Sequence, residues 1–300
     1  MSETKFTTPS RPLTWLITGC SSGLGLALVR EVQSHGDMVI ATSRNPSKNP
    51  DLVAEVVSKG GKWLPLDVTD LSSHGLIEEL EQSGTHIDVL VNNAGGSIHG
   101  AVEHLDEDEA RWHMELNYFG PYRLIRAVLP HMRKRRFGVI ANISSGAGLE
   151  ARPSMGGYGA AKAALDGLTK VLHMEVAPFN IRAFYVSLGS FDTNMAAAAG
   201  VQKAAWDPDY KGSMAEELTG WVTNGTFTPD GDPAKAAKAI YEVAAAKGIG
   251  AGNEAEVCLP LGRDLAVRVQ QVVDRWKHTM EVFGDVANNV YIEKKPGESS

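Results

Sequence analysis

The sequence predicts an α/β fold in which helices cover both faces of a parallel, doubly wound sheet of about seven strands. Two observations support this prediction. Short apolar runs alternate with amphipathic helical patterns along residues 14–186, and a glycine-rich turn joins the first run to the first helix. Alternation of this kind calls for parallel strands joined by crossover helices. Ligands of such a sheet bind at the carboxyl ends of its strands.

The first unit is a short apolar strand at 14–17, a turn at 18–25 with the sequence TGCSSGLG, and an amphipathic helix. Glycines let the backbone turn tightly and approach a pyrophosphate, and the helix N-terminus offers free N–H groups. The alternative is a purely structural turn. The predicted contacts to a dinucleotide are Gly19, Ser21, Ser22, Gly23, Leu24 and Gly25.

The second strand, at 38–42, ends in Ser43 and Arg44. A sheet that binds NAD usually places an acidic residue here, against the ribose 2′-hydroxyl. Ser43 occupies that acidic position, and the guanidinium of Arg44 can pair bidentately with a 2′-phosphate. The sequence therefore favours NADP(H) over NAD(H) as cofactor, with a solvated loop charge as the alternative for Arg44.

The third strand, at 62–66, is followed by Asp67 and Val68. We expect both to lie beside the adenine, whose amino group Asp67 could bind as a hydrogen-bond acceptor. Asp70 is predicted to be the N-cap of the next helix, at 71–83.

The fourth strand, at 87–91, continues into the sequence Asn-Asn-Ala-Gly at 92–95. The small residues there would let the cofactor ribose pass close to the backbone, so Asn93, Ala94 and Gly95 are predicted cofactor contacts. The alternative for Asn92 and Asn93 is side-chain support of the neighbouring backbone.

A long helix is predicted at 106–136, either continuous or broken near Gly120 and Pro121, with Asn117 inside it. Asparagine is mildly unfavourable within a helix. We expect the helix to bend at Asn117, where a freed carbonyl or the side chain could hold a water molecule.

Tyr158 and Lys162 follow the fifth strand, at 138–142, and lie four residues apart, so on a helix they share one face. An ammonium beside a phenol is expected to pull the tyrosine pKa down from about 10 toward neutrality. A tyrosine tuned in this way can exchange a proton at working pH. The hydroxyl of Ser145, at the end of the strand, could reach the same reacting oxygen. The alternative is an ordinary helix with one exposed Tyr and one exposed Lys.

A sixth strand at 181–186 precedes an irregular segment, 188–233, which we call the lid. Long loops with aromatic residues beside a site are often substrate lids, and a pair of packed surface helices is the alternative. The lid contains Phe191, Met195, Trp206, Tyr210, Met214 and Trp221.

Beyond the lid, the sequence predicts a helix at 232–247, a seventh strand at 255–259 and a closing helix at 261–282. No composition break marks a second domain. We therefore expect one domain at 13–292 between a disordered lead-in, 1–12, and a disordered tail, 293–300.

Composition excludes several classes of protein. The formal net charge is −7, which disfavours nucleic-acid binding. No apolar run is long enough to span a membrane, and the N-terminus has no signal-peptide pattern. Cys20 and Cys258 lie far apart, which argues against a disulfide and fits a reducing cytoplasm. No metal site is expected.

These motifs together resemble the short-chain dehydrogenase/reductase family over residues 13–260. They are TGCSSGLG at 18–25, NNAG at 92–95, Asn117, Ser145, and Tyr158 with Lys162. The resemblance implies a Rossmann sheet and a catalytic tetrad. Tyr158 would be the acid/base, Ser145 would orient the substrate carbonyl, Lys162 would lower the tyrosine pKa and bind the nicotinamide ribose, and Asn117 would hold a water in the proton relay.

The chain departs from the family pattern after the sixth strand, where Leu188 and Gly189 replace the usual Pro-Gly. This change loosens the expected contact to the nicotinamide carboxamide, although Thr193 stands where a hydroxyl partner is expected. Gly189 and Thr193 complete the predicted cofactor contacts.

The resemblance implies an NADP(H)-dependent oxidoreductase that interconverts a ketone and a secondary alcohol by hydride transfer, running in either direction, and a homodimer or homotetramer. The apolar lid suggests a hydrophobic substrate. A non-redox isomerase or cyclase and an NADP-sensing binding protein are the rival interpretations.

Overall fold

The computed structural model describes residues 6–195 and 198–292, and within them a seven-stranded parallel sheet forms the centre of the fold. The order is β3-β2-β1-β4-β6-β7-β9, so the crossover direction reverses between β1 and β4. This confirms the predicted doubly wound α/β architecture. The strands are β1 Thr14–Ile17, β2 Met38–Ser43, β3 Lys62–Pro65, β4 Val89–Asn92, β5 Ile98–His99, β6 Gly138–Ile143, β7 Ile181–Leu188, β8 Gly200–Val201 and β9 Cys258–Leu261, with β5 and β8 forming a separate parallel pair.

Helices pack on both faces of the sheet. They are α1 Gly23–Ser34, α2 Pro50–Ser58, α3 Gly75–Gln82, α4 Glu107–Met114, α5 Gly120–Arg135, α6 Gly146–Leu149, α7 Gly156–Val176, α8 Met214–Thr223, α9 Pro233–Ala244 and α10 Arg263–Asn288. A π-helical segment, Glu115–Phe119, joins α4 to α5. The predicted long helix is thus nearly continuous, and it is widened where Asn117 lies.

The central strands are mostly apolar because both of their faces are covered. Trp15 and Ile17 of β1 point into a cluster that includes Tyr241 of α9, whereas Leu16 points into the opposite cluster with Leu124 of α5. All six residues of β6 are buried. The two apolar layers fix the strand positions, and so they fix where the strand ends meet.

Several boundaries differ from the predicted ones. Asp70 does not cap α3, because its carboxylate accepts from the backbone N–H of Ser72 in a preceding turn and the helix begins only at Gly75. The closing helix runs on to Asn288, six residues beyond its predicted end at 282. No helix in the described ranges is long and apolar enough to cross a membrane.

Residues 6–12, expected to belong to a disordered lead-in, are held against the sheet domain. Asn180 hydrogen-bonds the backbone N–H and carbonyl of Thr7, and Arg11 forms a bidentate ion pair with the buried Asp88. Residues 1–5 and the predicted tail, 293–300, lie outside the described residues.

Glu81 joins α3, α5 and the entry to β4 through one buried carboxylate. It accepts two hydrogen bonds from Arg135, at 2.6 and 2.9 Å, and one from the backbone N–H of Ile87 at 3.0 Å. Burial opposes ionisation, but Arg135 and the Ile87 N–H outweigh it and lower the pKa of Glu81.

We expect Glu81→Gln to reduce the free energy of unfolding at neutral pH by about 1–3 kcal/mol, because Arg135 loses its charged partner. A carboxyl with a lowered folded-state pKa stabilises the fold above its unfolded pKa and ceases to do so as pH falls through the folded value. The difference from wild type should therefore shrink at acidic pH. Urea unfolding at several pH values measures this, with the exposed Glu78→Gln on the same helix as control; equal effects of both changes would contradict it.

Candidate active site

A cavity of about 600 Å³ opens at the carboxyl edge of the sheet, next to the point where the strand order reverses. This is the position at which doubly wound sheets bind ligands. Three of the four predicted catalytic residues line it, Ser145, Tyr158 and Lys162. So do all the predicted cofactor contacts: Gly19, Ser21, Ser22, Gly23, Leu24, Gly25, Ser43, Arg44, Asp67, Val68, Asn93, Ala94, Gly95, Tyr158, Lys162, Gly189 and Thr193.

The glycine-rich turn forms one wall of the cavity because its backbone packs too closely for side chains. Gly19 has φ +70°, and a Cβ there would lie 2.8 Å from the Cα of Ala94. A Cβ on Gly25 would lie 2.4 Å from the carbonyl oxygen of Gly19. α1 begins at Gly23, so the unpaired N–H groups of its first turn lie beside the turn. This arrangement fits the pyrophosphate of a dinucleotide.

Asn93 and Thr18 tie the turn to the end of β4. The Asn93 side chain donates to the carbonyls of Thr18 and Gly19, at 2.8 and 3.1 Å. In return, the Thr18 hydroxyl accepts from the backbone N–H groups of Asn93 and Ala94, both at 2.9 Å. Asn92 donates to the Asn142 side chain at 2.8 Å. Both asparagines therefore support the walls of the cavity.

At the end of β2, the exposed Arg44 follows Ser43, whose hydroxyl is already hydrogen-bonded. Ser43 is buried, and its hydroxyl accepts a hydrogen bond of 2.9 Å from the indole of Trp63. Arg44 is exposed and lines the cavity, and within the described residues its guanidinium makes no ion pair. Asp67 accepts from the backbone and hydroxyl of Thr69, which orients its carboxylate at the cavity rim.

Tyr158 and Lys162 lie one turn apart on α7, and both side chains are buried. The ammonium nitrogen of Lys162 lies 5.7 Å from the centre of the Tyr158 ring and donates to the carbonyl of Ile143 at 2.7 Å. Ser145 caps α6 by accepting from the N–H of Ala147 at 3.1 Å. Its hydroxyl also favours the ionised form of Tyr158 by hydrogen bonding.

The expected lowering of the Tyr158 pKa is absent from this structure. Burial raises the pKa of Tyr158 to about 12, against the smaller opposing effect of Ser145. Lys162 does not offset this burial in the structure, where its ammonium donates to the Ile143 carbonyl. Burial also lowers the pKa of Lys162, to about 8. Asp166, one turn further along α7, also acts against the phenolate, and its pKa is raised by burial to about 6.

Asn117 is fully buried behind the cavity and does not line it. Its side-chain nitrogen donates to the carbonyls of Gly96 and His113, at 3.0 and 3.1 Å. A Cβ on Gly95 would lie 3.0 Å from the Asn117 oxygen and 3.5 Å from the Lys162 nitrogen. Asn117 and Lys162 therefore flank the backbone of Gly95 from one side of the site.

The lid supplies part of an apolar wall. Phe191, Met195 and Trp221 line the cavity as expected, whereas Trp206 and Tyr210 pack on His104 instead. The described part of the lid contains one α-helix, α8, where a pair of packed surface helices was the alternative to a substrate lid. Sequence reasoning did not identify further apolar lining residues, which are Leu218, Val222 and Phe227 within the lid and Trp112, Leu116 and Met155 outside it.

Three lining residues with ionisable side chains were also missed, namely His99, Arg152 and Arg268. Arg152 had a signal in the sequence, because it is a charged residue between Ser145 and Tyr158. His99 and Arg268 had none, since only the folded chain brings β5 and α10 to the cavity.

Leu188 ends β7, and Gly189 follows it beside the first turn of α10. The N–H of Gly189 donates to the Leu261 carbonyl at 2.8 Å, and a Cβ on Gly189 would overlap the Asp264 carboxylate. Thr193 lies against the glycine-rich turn, since a Cβ on Gly23 would be 3.1 Å from the Thr193 Cβ.

Metal-ligating and disulfide chemistry have no support in the described part of the chain. No group of three or more His, Cys, Asp or Glu side chains is arranged there to hold a metal ion. Cys20 and Cys258 are both free thiols.

Comparison with known proteins gives consistent matches. 3-Ketodihydrosphingosine reductase of Bacteroides thetaiotaomicron is 37% identical over 210 residues, which are 69% of this chain and 75% of that protein. Oxidoreductase claN of Passalora fulva is 39% identical over 187 residues, which are 62% of this chain and 85% of that protein.

Solved structures agree. The crystal structure of a short-chain dehydrogenase from Streptomyces avermitilis superposes with a TM-score of 0.83 at 33% identity, covering 94% of this chain and 100% of that one. The structure titled ElxO with NADP bound has a TM-score of 0.67 at 26% identity, covering 83% of this chain and 97% of that one. The family model described as short chain dehydrogenase matches residues 14–204, and the chain belongs to that family of oxidoreductases.

Proposed function

We propose that this protein is an NADP(H)-dependent oxidoreductase that interconverts a ketone and a secondary alcohol on a hydrophobic small molecule. The observation that carries the proposal is the position of the Tyr158 hydroxyl. It is buried in the cavity wall, acted on by Ser145 and one helical turn from the Lys162 ammonium. The Tyr158 phenol, with the Ser145 hydroxyl and the Lys162 ammonium beside it, is suited to exchange a proton with a carbonyl oxygen.

Each of the proposed catalytic residues has a separate role in proton transfer to the substrate oxygen. Tyr158 keeps its proton at neutral pH, because burial raises its pKa, and so it can donate that proton to a ketone. Ser145 donates a hydrogen bond to the same oxygen, and Lys162 stabilises the phenolate that forms. Asn117 holds the backbone around Gly95 and Gly96 in place. The dinucleotide, when bound, supplies or accepts the hydride.

Arg44 supports a preference for NADP(H). Its exposed guanidinium lies at the end of β2, where an NAD-binding sheet has a carboxylate, and the hydroxyl of Ser43 is already engaged by Trp63. The related structure with NADP bound is consistent with this preference. The apolar walls support a hydrophobic substrate, and a relative named for a 3-keto compound supports ketone reduction.

We expect Tyr158→Phe to lower kcat by about 10²–10⁴-fold, because the proton donor is lost while the ring still fills its site. NADPH affinity should stay nearly unchanged. Absorbance of NADPH with a panel of ketones measures turnover, and fluorescence titration measures binding. Tyr210→Phe, outside the cavity, is the matched control. Substantial activity in Tyr158→Phe would refute the assignment. NADPH binding without consumption by the wild type would favour an NADP sensor or a non-redox enzyme.

We expect Arg44→Asp to weaken NADPH binding by about 10–100-fold, the loss typical of a charge-assisted hydrogen-bonded pair. NADH binding should change little, because NADH lacks the 2′-phosphate. Equilibrium titrations of both cofactors measure the ratio, with the exposed Lys48→Asp as a control for the added negative charge. Equal losses for NADPH and NADH would exclude a 2′-phosphate contact.

We further propose that the chain forms a homodimer or homotetramer. Val171 and Met174 on α7 and Phe119 in the π segment are apolar and exposed, which single-chain packing leaves unexplained. Light scattering during size-exclusion chromatography should give two or four times the chain mass. Met174→Glu should lower it, whereas Met38→Glu, on another exposed methionine, should not. A monomeric wild type would contradict this proposal.

A further inference from the structure

The cavity wall is positively charged although the chain as a whole carries a net charge of −7. Among its described lining residues, Asp67 is the one acid, against the four cations Arg44, Lys162, Arg152 and Arg268. Arg44 and Lys162 belong to the proposed cofactor contacts. Arg152 and Arg268 remain for the substrate side of the cavity.

Arg268 is neutralised by the protein itself. Its side chain pairs with Glu150 at 3.2 Å and with Asp264 one helical turn away, and it is 9% exposed. Asp264 also accepts from the backbone and hydroxyl of Ser190. Glu150 and Asp264 therefore both pair with Arg268, and few of the Arg268 N–H donors remain for a ligand.

Arg152 is the cation that the protein leaves incompletely paired. Its closest acidic neighbour is Glu150, whose carboxylate oxygen lies 3.9 Å from the Arg152 Nε. The guanidinium donates no hydrogen bond to residues 6–195 or 198–292. The side chain is two-thirds buried, and burial and Arg268 both lower the pKa of Arg152. No carboxylate of the described residues lies within hydrogen-bond distance of this guanidinium, so its N–H donors are available to an anion in the cavity.

The segment that carries Arg152 is held in place. The hydroxyl of Ser154 lies 3.2 Å from the imidazole of His99, and the N–H of Gly100 donates to the Ser154 carbonyl at 3.0 Å. Ser154 has φ +68°, a left-handed conformation that these contacts maintain. Burial lowers the pKa of His99 to about 4, so this neighbour is neutral at physiological pH and adds no competing charge.

We propose that Arg152 binds an anionic group of the substrate, so that the substrate is an amphiphilic oxo compound with a carboxylate or a phosphate besides its apolar body. The apolar body would lie on Trp112, Met155 and Trp221, which line the same cavity. Carboxylates and phosphates can each accept two parallel hydrogen bonds from a planar guanidinium. This inference rests on the proposed carbonyl site and names the class of compound that enters it.

The test uses three matched compounds: a medium-chain oxo acid, its methyl ester, and the oxo-alkyl phosphate of the same chain length. Wild type with NADPH should show kcat/KM at least about tenfold higher for one of the two anions than for the ester, as one charge-assisted contact provides. The preferred anion tells carboxylate from phosphate. Arg152→Gln should remove the preference by lowering kcat/KM for the anions far more than for the ester, and Arg152→Lys should restore part of it.

Arg30→Gln, an exposed arginine paired with Glu55 far from the cavity, is the control and should keep the wild-type preference. Equal kcat/KM for acid, phosphate and ester in wild type would overturn the proposal. So would a parallel loss on all three compounds in Arg152→Gln with NADPH binding intact.

Calorimetric titration of the oxo acid and the phosphate into the protein with NADP⁺ separates this inference from the proposed function. Anion binding that depends on Arg152 without turnover would refute the oxidoreductase assignment and leave the anion site standing. Turnover of the ester together with anion affinity that Arg152→Gln does not change would refute the anion site and leave the reductase.

Discussion

The connection between the ends of β1 and β4 is the constraint on which the site depends. Strand order reverses here, so the crossover helices diverge and leave a crevice. Thr18 and Asn93 bridge the crevice through four hydrogen bonds that use side chains and backbone of both strands. The backbone at Gly19 lies so close to Ala94 that a Cβ on Gly19 would be 2.8 Å from the Ala94 Cα. The proposed cofactor contacts and the proposed catalytic residues therefore lie along one edge of the sheet.

On that edge, burial sets the protonation states of the proposed catalytic groups. Tyr158, Lys162 and Asp166 follow one another at single-turn intervals on α7. Burial shifts the pKa of each group in the direction that favours its neutral form, upward for Tyr158 and Asp166 and downward for Lys162. A protonated phenol is the form required to deliver a proton to a ketone. Stabilising the phenolate afterwards requires Lys162 to respond to the new charge, for which it lies within 5.7 Å of the ring.

Sequence reasoning predicted what depends on local pattern. Apolar runs gave the strands, glycines gave the turn at 18–25, and the spacing of Tyr158 and Lys162 gave a shared helical face. It failed where tertiary contacts decide. Asp70 caps a turn and not a helix, α10 runs past its predicted end, and the pKa of Tyr158 depends on burial that a sequence does not display. The substrate side was least predictable because β5, α8 and α10 reach it from distant parts of the chain.

α10 shows how such distant segments can couple the two sides of the site. In its first turns, Asp264 accepts from Ser190, just after the proposed nicotinamide contact Gly189, and Arg268 pairs with Glu150, two residues before Arg152. A shift of this helix would therefore move the backbone near Gly189 and the segment that carries Arg152 together. The ion pairs of Arg268 also occupy the nearby carboxylates, and this leaves Arg152 without a strong partner. The ion pairs of Arg268 thus hold Glu150 near Arg152 and also leave the Arg152 guanidinium available for the proposed anion contact.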